Sequence, residues 1–198
     1  EGRYVIEDDY DSEFRYKGKP IPALQGLDEN GKVIYIGTFS KSIAPAIRIS
    51  FLVLPPELME RYRARGRRFS STVPRMDQKI LAEFIKSGAY ERHLNRMRAL
   101  YRTRHDALLE ALKEFPEIFH ISGEYAGTHL LVTMPERISE RTAVEAARDR
   151  GVRVYGLSAY CVEGHKPKGT TLILGYATMH EDEIRQAARI LGELYMLL

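Results

Sequence analysis

The sequence predicts an α/β chain: a partial parallel or mixed sheet with helices, followed by a smaller α+β unit. Three observations carry that class. Short β-branched and aromatic runs, Tyr4-Val5-Ile6 and Val33-Ile34-Tyr35-Ile36, are separated by crossover-length segments, as the buried strands of α/β sheets are. Apolar residues then recur at helical spacing from about 75 to 114. Beyond 117, short strands alternate with two amphipathic stretches. At 198 residues, 44% of them hydrophobic and 29% charged, the chain has enough apolar material for one large or two small cores.

Taken in order, strands are expected near 3–7, 33–37 and 50–54, with a helix after Pro56; residues 1–86 form the first unit. Ile80, Leu81, Phe84 and Ile85, then Leu94, Met97, Leu100, Leu108 and Leu112, keep a helical period that Ser87-Gly88 interrupts, so two helices are expected. The second ends before Pro116, and 87–116 reads as a long linking helix. Residues 117–198 form the smaller unit, with strands at 118–121, 129–134, 152–155 and 171–174. Ser139 caps a helix that runs to Arg150 and stops at Gly151. From His180 an amphipathic helix places Ile184, Ala187, Ala188, Leu191 and Leu194 on one face.

Several function classes find no support. A net charge of +3 is too mild to signal nucleic acid. The arginines at 61, 63, 65, 67 and 68 and at 92, 96, 98, 102 and 104 read as solvated helix faces paired with Glu60, Glu83 and Glu91. The lone Cys161 excludes an intrachain disulfide and fits a reducing cytoplasm. No apolar run is long enough to span a membrane and no leader opens the chain, so the expected location is cytoplasmic, without a membrane partner. The histidines lack metal-ligand spacing, so no metal site is expected. There is no nucleophile elbow and no phosphate-binding glycine loop to anchor hydrolase or phosphoryl-transfer chemistry.

The segment Gly37-Thr38-Phe39-Ser40-Lys41-Ser42 is the chemical focus, because it sets a lysine just past the carboxyl end of an apolar strand. In open α/β sheets ligands bind at that edge. The other early strand runs into Glu7-Asp8-Asp9-Tyr10-Asp11. If the two strands are neighbours, a carboxylate, a phenol and an ammonium converge, as pyridoxal phosphate requires: an amine for its aldehyde and an acid for its ring nitrogen. Thr38, Ser40 and Arg48 offer donors for the phosphate. Alternation allows only one of Asp8 and Asp9 to face the crevice.

The run Ile6 to Phe14, the run Ile34 to Ser42, and Ala44-Pro45-Ala46-Ile47-Arg48 closely resemble fold-type I aminotransferases, specifically the MocR/GabR-type branch of the GntR regulators. Asp77-Gln78, Ser87-Gly88, Tyr90-Glu91-Arg92-His93, Arg96-Met97-Arg98 and Leu174-Gly175-Tyr176-Ala177 extend the resemblance over essentially the whole chain. It implies Lys41 as the Schiff-base lysine, Asp8 rather than Asp9 as the acid at the pyridine nitrogen, Tyr10 as the phenol at the ring hydroxyl, and Thr38, Ser40 and Arg48 on the phosphate side. It also implies that this is the C-terminal part of such a protein. Residues that cradle the phosphate and stack on the ring would lie upstream, so this truncated chain alone would hold the cofactor poorly. DNA would be met only through a missing N-terminal winged helix-turn-helix, and the intact protein would be a homodimer.

The functional expectation is a pyridoxal phosphate-binding, effector-sensing domain of a bacterial regulator, in which an amino acid or amine forms an aldimine in place of Lys41. Closure of the small unit would signal that state. The alternative is a true aminotransferase acting on an amino acid and a keto acid, and a third reading is an oligomerisation scaffold. One departure bears on the ligand. Aminotransferases place an arginine near the last small-domain strand to clamp a carboxylate, whereas Lys168 to Leu174 contains none; His165, Lys166 or Lys168 could replace it, or another loop could supply the arginine, with Arg153 a candidate by position.

Overall fold

A computed structural model describes residues 2–9, 11–66, 70–162 and 169–198. The chain divides into two compact units, Glu1–Met97 and Arg98–Leu198.

The first unit holds a three-stranded sheet in the order β1-β2-β3, formed by β1 (Val5–Asp9), β2 (Val33–Thr38) and β3 (Ser50–Val53). β1 and β2 are parallel, whereas β3 turns back antiparallel to β2, so the sheet is mixed. A parallel pair needs a long crossover, and here the connection is a loop fixed by acids rather than a long helix. Asp28 accepts the backbone N–H groups of Asn30, Lys32 and Val33 at 3.0, 2.6 and 2.7 Å. Those bonds hold the Asp28 carboxyl below its ordinary range, the Val33 amide contributing most.

Between β2 and β3 lies α1 (Phe39–Ser42), a single helical turn. The helix after Pro55 is α2 (Pro56–Gly66), exposed along nearly its whole length. α3 (Arg75–Lys86) and α4 (Ala89–Lys113) are separate helices, divided where Gly88 adopts φ +70°, a conformation that strains any residue with a Cβ. α4 continues past Met97 into the second unit. Buried Phe14 and Leu94 contrast with Ile6, Leu52 and Ile80, all more than half exposed.

Among the described residues the second unit has a four-stranded antiparallel sheet, β4-β5-β7-β6, and two further α-helices besides the end of α4. Its strands are β4 (His120–Ser122), β5 (His129–Met134), β6 (Tyr155–Gly156) and β7 (Thr170–Gly175). Along β5, Leu130, Val132 and Met134 are buried while their alternates are not, the pattern of a sheet covered on one face. α5 (Glu140–Asp149) starts at Ser139, whose hydroxyl accepts the Thr142 N–H at 3.1 Å. α6 (Glu181–Met196) opens with a reciprocal capping box between His180 and Glu183. Tyr195 of α6 donates its buried phenol to the Ala143 carbonyl of α5 at 2.9 Å, and burial pushes that phenol's pKa up. Gly192 lets α6 approach so closely that a side chain there would collide with the Phe115 ring.

Two expected strands shift. Ile118 and Phe119 are buried within a turn, so β4 begins only at His120. Val152 to Val154 are not strand, and only Tyr155 and Gly156 pair with β7. In both places apolar residues fill the core from irregular backbone, which a period-2 reading cannot distinguish from a strand.

Candidate functional site

β1 and β2 bring their carboxyl ends to one edge, with Asp8 opposite Ile36 and Asp9 opposite Gly37. Alternation places Glu7 and Asp9 on one face and Asp8 on the other. The first two acids are occupied. Glu7 accepts the N–H groups of Leu24 and Gln25 at 2.7 and 2.9 Å, so it caps the short 3-10 turn at Gln25–Leu27. Asp9 accepts the Ser12 N–H at 3.3 Å, the Ser12 hydroxyl at 2.8 Å and the Tyr35 phenol at 2.7 Å. Burial first, and then that bond, raises the Tyr35 pKa and keeps the phenol a neutral donor. Asp8 is exposed and has no hydrogen-bond or ion-pair partner among the described residues.

Lys41 is the third residue of α1 and is exposed. Its turn is held by its neighbours. Thr38 Oγ1 accepts the Ser40 N–H at 3.3 Å as N-cap and donates to the Ile49 carbonyl at 3.4 Å. Ser40 Oγ donates to the Ile47 carbonyl at 2.6 Å and accepts from Arg48 Nη1 at 3.4 Å. The Phe39 N–H reaches the Ile49 carbonyl at 3.0 Å, and the Ile43 N–H reaches the Phe39 carbonyl at 2.9 Å. Thr38, Ser40 and Arg48 therefore meet around one turn, while the remaining guanidinium donors of exposed Arg48 are uncommitted among the described residues. Tyr10 lies outside the described residues.

An aromatic series supports the same turn. Phe39 packs on Phe51 with centroids 5.2 Å apart and edge-on to Tyr90 at 5.9 Å; Phe51 also meets Tyr35 at 6.0 Å. Gly37 makes room for this, because a Cβ there would run into the Phe51 ring. From α4, His93 Nε2 lies 3.0 Å from the carbonyl of Ser42, a residue only 1% exposed. A carbonyl only accepts, so Nε2 carries the proton. A cavity of about 730 Å³ opens beside Arg48 between residues 43–49 and α3, mostly apolar with Asp77 as its acid.

Elsewhere, the Arg153 guanidinium sits 5.9 Å from the Tyr155 ring centre. His165, Lys166 and Lys168, like Arg67 and Arg68, lie outside the described residues. The arginine faces pair differently from the expectation: Arg61 bonds Glu57 at 2.7 Å rather than Glu60, and Arg102 approaches Asp106 at 4.0 Å. Glu57 lies one turn before Arg61 and also accepts the Tyr4 phenol at 2.8 Å. Among the described residues no cluster of three or more His, Cys, Asp or Glu could hold a metal ion, and no helix is long and apolar enough to cross a membrane.

The edge thus combines an amine-bearing turn, an uncommitted carboxylate and a guanidinium. These are the complements of an aldehyde, a basic ring nitrogen and a phosphate. The supporting roles of Glu7, Asp9 and Tyr35 follow from strand alternation once the parallel pairing is known. The His93 contact spans 51 residues of sequence and has no local signature.

Residues 2–191 match the family described as aminotransferase class I and II. The chain is 46% identical over 183 residues to the uncharacterized HTH-type transcriptional regulator YhdI of Bacillus subtilis (strain 168), covering 92% of this chain and 39% of that protein. It is 34% identical to the probable rhizopine catabolism regulatory protein MocR of Rhizobium meliloti, covering 98% of this chain and again 39% of the relative. Among solved structures, the kynurenine aminotransferase of Pyrococcus horikoshii, in complex with PMP, KYN as substrates and KYA as products, superimposes with TM-score 0.84. It has 31% identity and covers 98% of this chain and 48% of that one. The chain thus spans about two fifths of the length of these curated regulators.

Proposed function

The chain belongs to the aminotransferase class I and II family, and from that premise we propose that it is the pyridoxal phosphate-binding, effector-sensing part of a MocR/GabR-type transcriptional regulator. The observation that carries the reading is the parallel β1–β2 edge, where uncommitted Asp8 and the Lys41 turn end side by side. The likeness to two proteins named as regulators supports the regulatory role. Their greater length supports a DNA-binding segment elsewhere in the full protein.

Pyridoxal phosphate, when bound, supplies an aldehyde that takes up amines and a ring that withdraws electrons. Lys41 Nζ is the proposed point of attachment. The Asp8 carboxylate would hold a proton at the ring nitrogen; it is uncommitted among the described residues, whereas Asp9 is spent on Tyr35 and Ser12. Arg48 provides the phosphate-side charge, oriented by Ser40, with Thr38 shaping the same turn. Tyr10, two residues beyond Asp8, is the proposed phenol at the ring hydroxyl. Residues 1–86 are assigned to the cofactor-binding part, 87–116 to a linking helix and 117–198 to the small domain. An amino acid or amine is the proposed effector, and it would compete with Lys41 for the aldehyde that the cofactor would supply. The full protein is proposed to work as a cytoplasmic homodimer.

The test is pyridoxal phosphate titration of the full-length protein, borohydride reduction and peptide mapping. Label at Lys41 supports the reading, and label elsewhere or nowhere rejects it. Full-length Lys41→Ala should lose its cofactor-dependent DNA response. The second reading, a working aminotransferase, draws on the similarity to the kynurenine enzyme. Amino-group transfer from an amino acid to a keto acid by the full-length protein would favour it.

A further inference from the structure

We infer that His93 is the positioning residue for Lys41, acting through its hydrogen bond to the Ser42 carbonyl; this rests on Lys41 being the cofactor attachment point. One helical turn is too short to be stable by itself, and the carbonyls at a helix end have no intrahelical partners. In α1, the Phe39 carbonyl is satisfied by the Ile43 N–H and the Ser42 carbonyl by His93 Nε2. Ser42 is almost wholly buried, so loss of the imidazole donor leaves a carbonyl that water does not readily replace. Its own hydroxyl is buried without a partner among the described residues, so the side chain of Ser42 does not anchor the turn by a polar contact.

The donor is well fixed. The His93 ring packs 6.2 Å from the Phe84 ring, and Tyr90, one turn earlier in α4, lies edge-on to both Phe84 and Phe39. Successive turns of α4 therefore grip the first and last residues of α1, with Ser40 and Lys41 between them. The lysine side chain is long and exposed, so its aim depends on where that backbone is held. Attachment chemistry is sensitive to displacements of an ångström.

The experiment compares full-length wild type, His93→Gln and His93→Asn by the initial rate at which pyridoxal phosphate is reductively fixed to Lys41 with borohydride, read by peptide mapping. A Gln amide reaches the Nε2 position, whereas an Asn amide stops near Nδ1. The expected result is about a fivefold slower rate for His93→Asn and a rate within about twofold of wild type for His93→Gln. His93→Met, which fills the ring's space without a donor, replaces the Asn variant if that one fails to fold, and it should be slowed alike. Equal loss in donor-bearing and donor-less variants, or no loss in any, overturns the positioning role while leaving the cofactor reading intact. Absence of label at Lys41 in the wild type overturns both.

Discussion

Tyr35 donates its phenol to the Asp9 carboxylate at 2.7 Å, across the two parallel strands whose ends form the site. The contact separates two adjacent acids by role: Asp9 builds the edge, and Asp8 is left available. Replacing Tyr35 with Phe should cost about 1 kcal/mol in urea unfolding at neutral pH, the usual net worth of such a bond. The pH dependence has a defined sign. Burial raises this phenol above its ordinary 10.0, so its contribution is complete below pH 10 and is lost as pH rises through the folded-state value. Tyr35→Phe should lack that alkaline loss.

The division between Asp8 and Asp9 predicts opposite phenotypes. In the full-length protein, Asp8→Asn should weaken pyridoxal phosphate binding at least about tenfold with little change in melting temperature. Asp9→Asn should lower the melting temperature while leaving affinity within about threefold. Spectral titration and thermal melting decide this together, and the reverse pattern would hand the ring nitrogen to Asp9.

Gly37 is required by a neighbour rather than by its own backbone. Because a Cβ there collides with the Phe51 ring, Gly37→Ala should destabilise by about 1–3 kcal/mol. Phe51→Leu in the same chain should recover part of that loss. A double-mutant cycle in denaturant measures the coupling, and strictly additive losses would contradict the steric account.

Asp28 contributes to the acid limb. Its carboxyl is held below 3.8, chiefly by the Val33 amide, so its stabilisation is present above that pH and is lost as pH falls through the lower folded-state value. Asp28→Asn should reduce stability at neutral pH and flatten the fall in melting temperature below pH 4. A parallel fall in both proteins would show that the loop bonds do not carry the effect.

The elements most legible in the sequence were those with strong local chemistry. The β-branched run at 33–37, the Ser87-Gly88 break and the Ser139 cap each appear within a residue or two of expectation. Strands 118–121 and 152–155 were less legible, because buried apolar residues in irregular backbone carry the same pattern as short strands. At the site, Lys41 and the acidic run stood out by residue type and position. The assignment of Glu7 to the Gln25 turn and of Asp9 to Tyr35 depends on which strands pair, and the His93 link depends on helix packing between distant segments. Neither is encoded in a local window.

Among the described residues β1 is the outer strand of the order β1-β2-β3, and its Val5 and Ile6 are half or more exposed. Such an edge can recruit another strand. If two copies aligned antiparallel about Glu7, the two Glu7 residues would face each other, and Asp8 and Asp9 would lie opposite Ile6 and Val5. Like charges opposite one another disfavour pairing, so in that register Glu7, which caps the Gln25 turn within each copy, would oppose self-association along this strand.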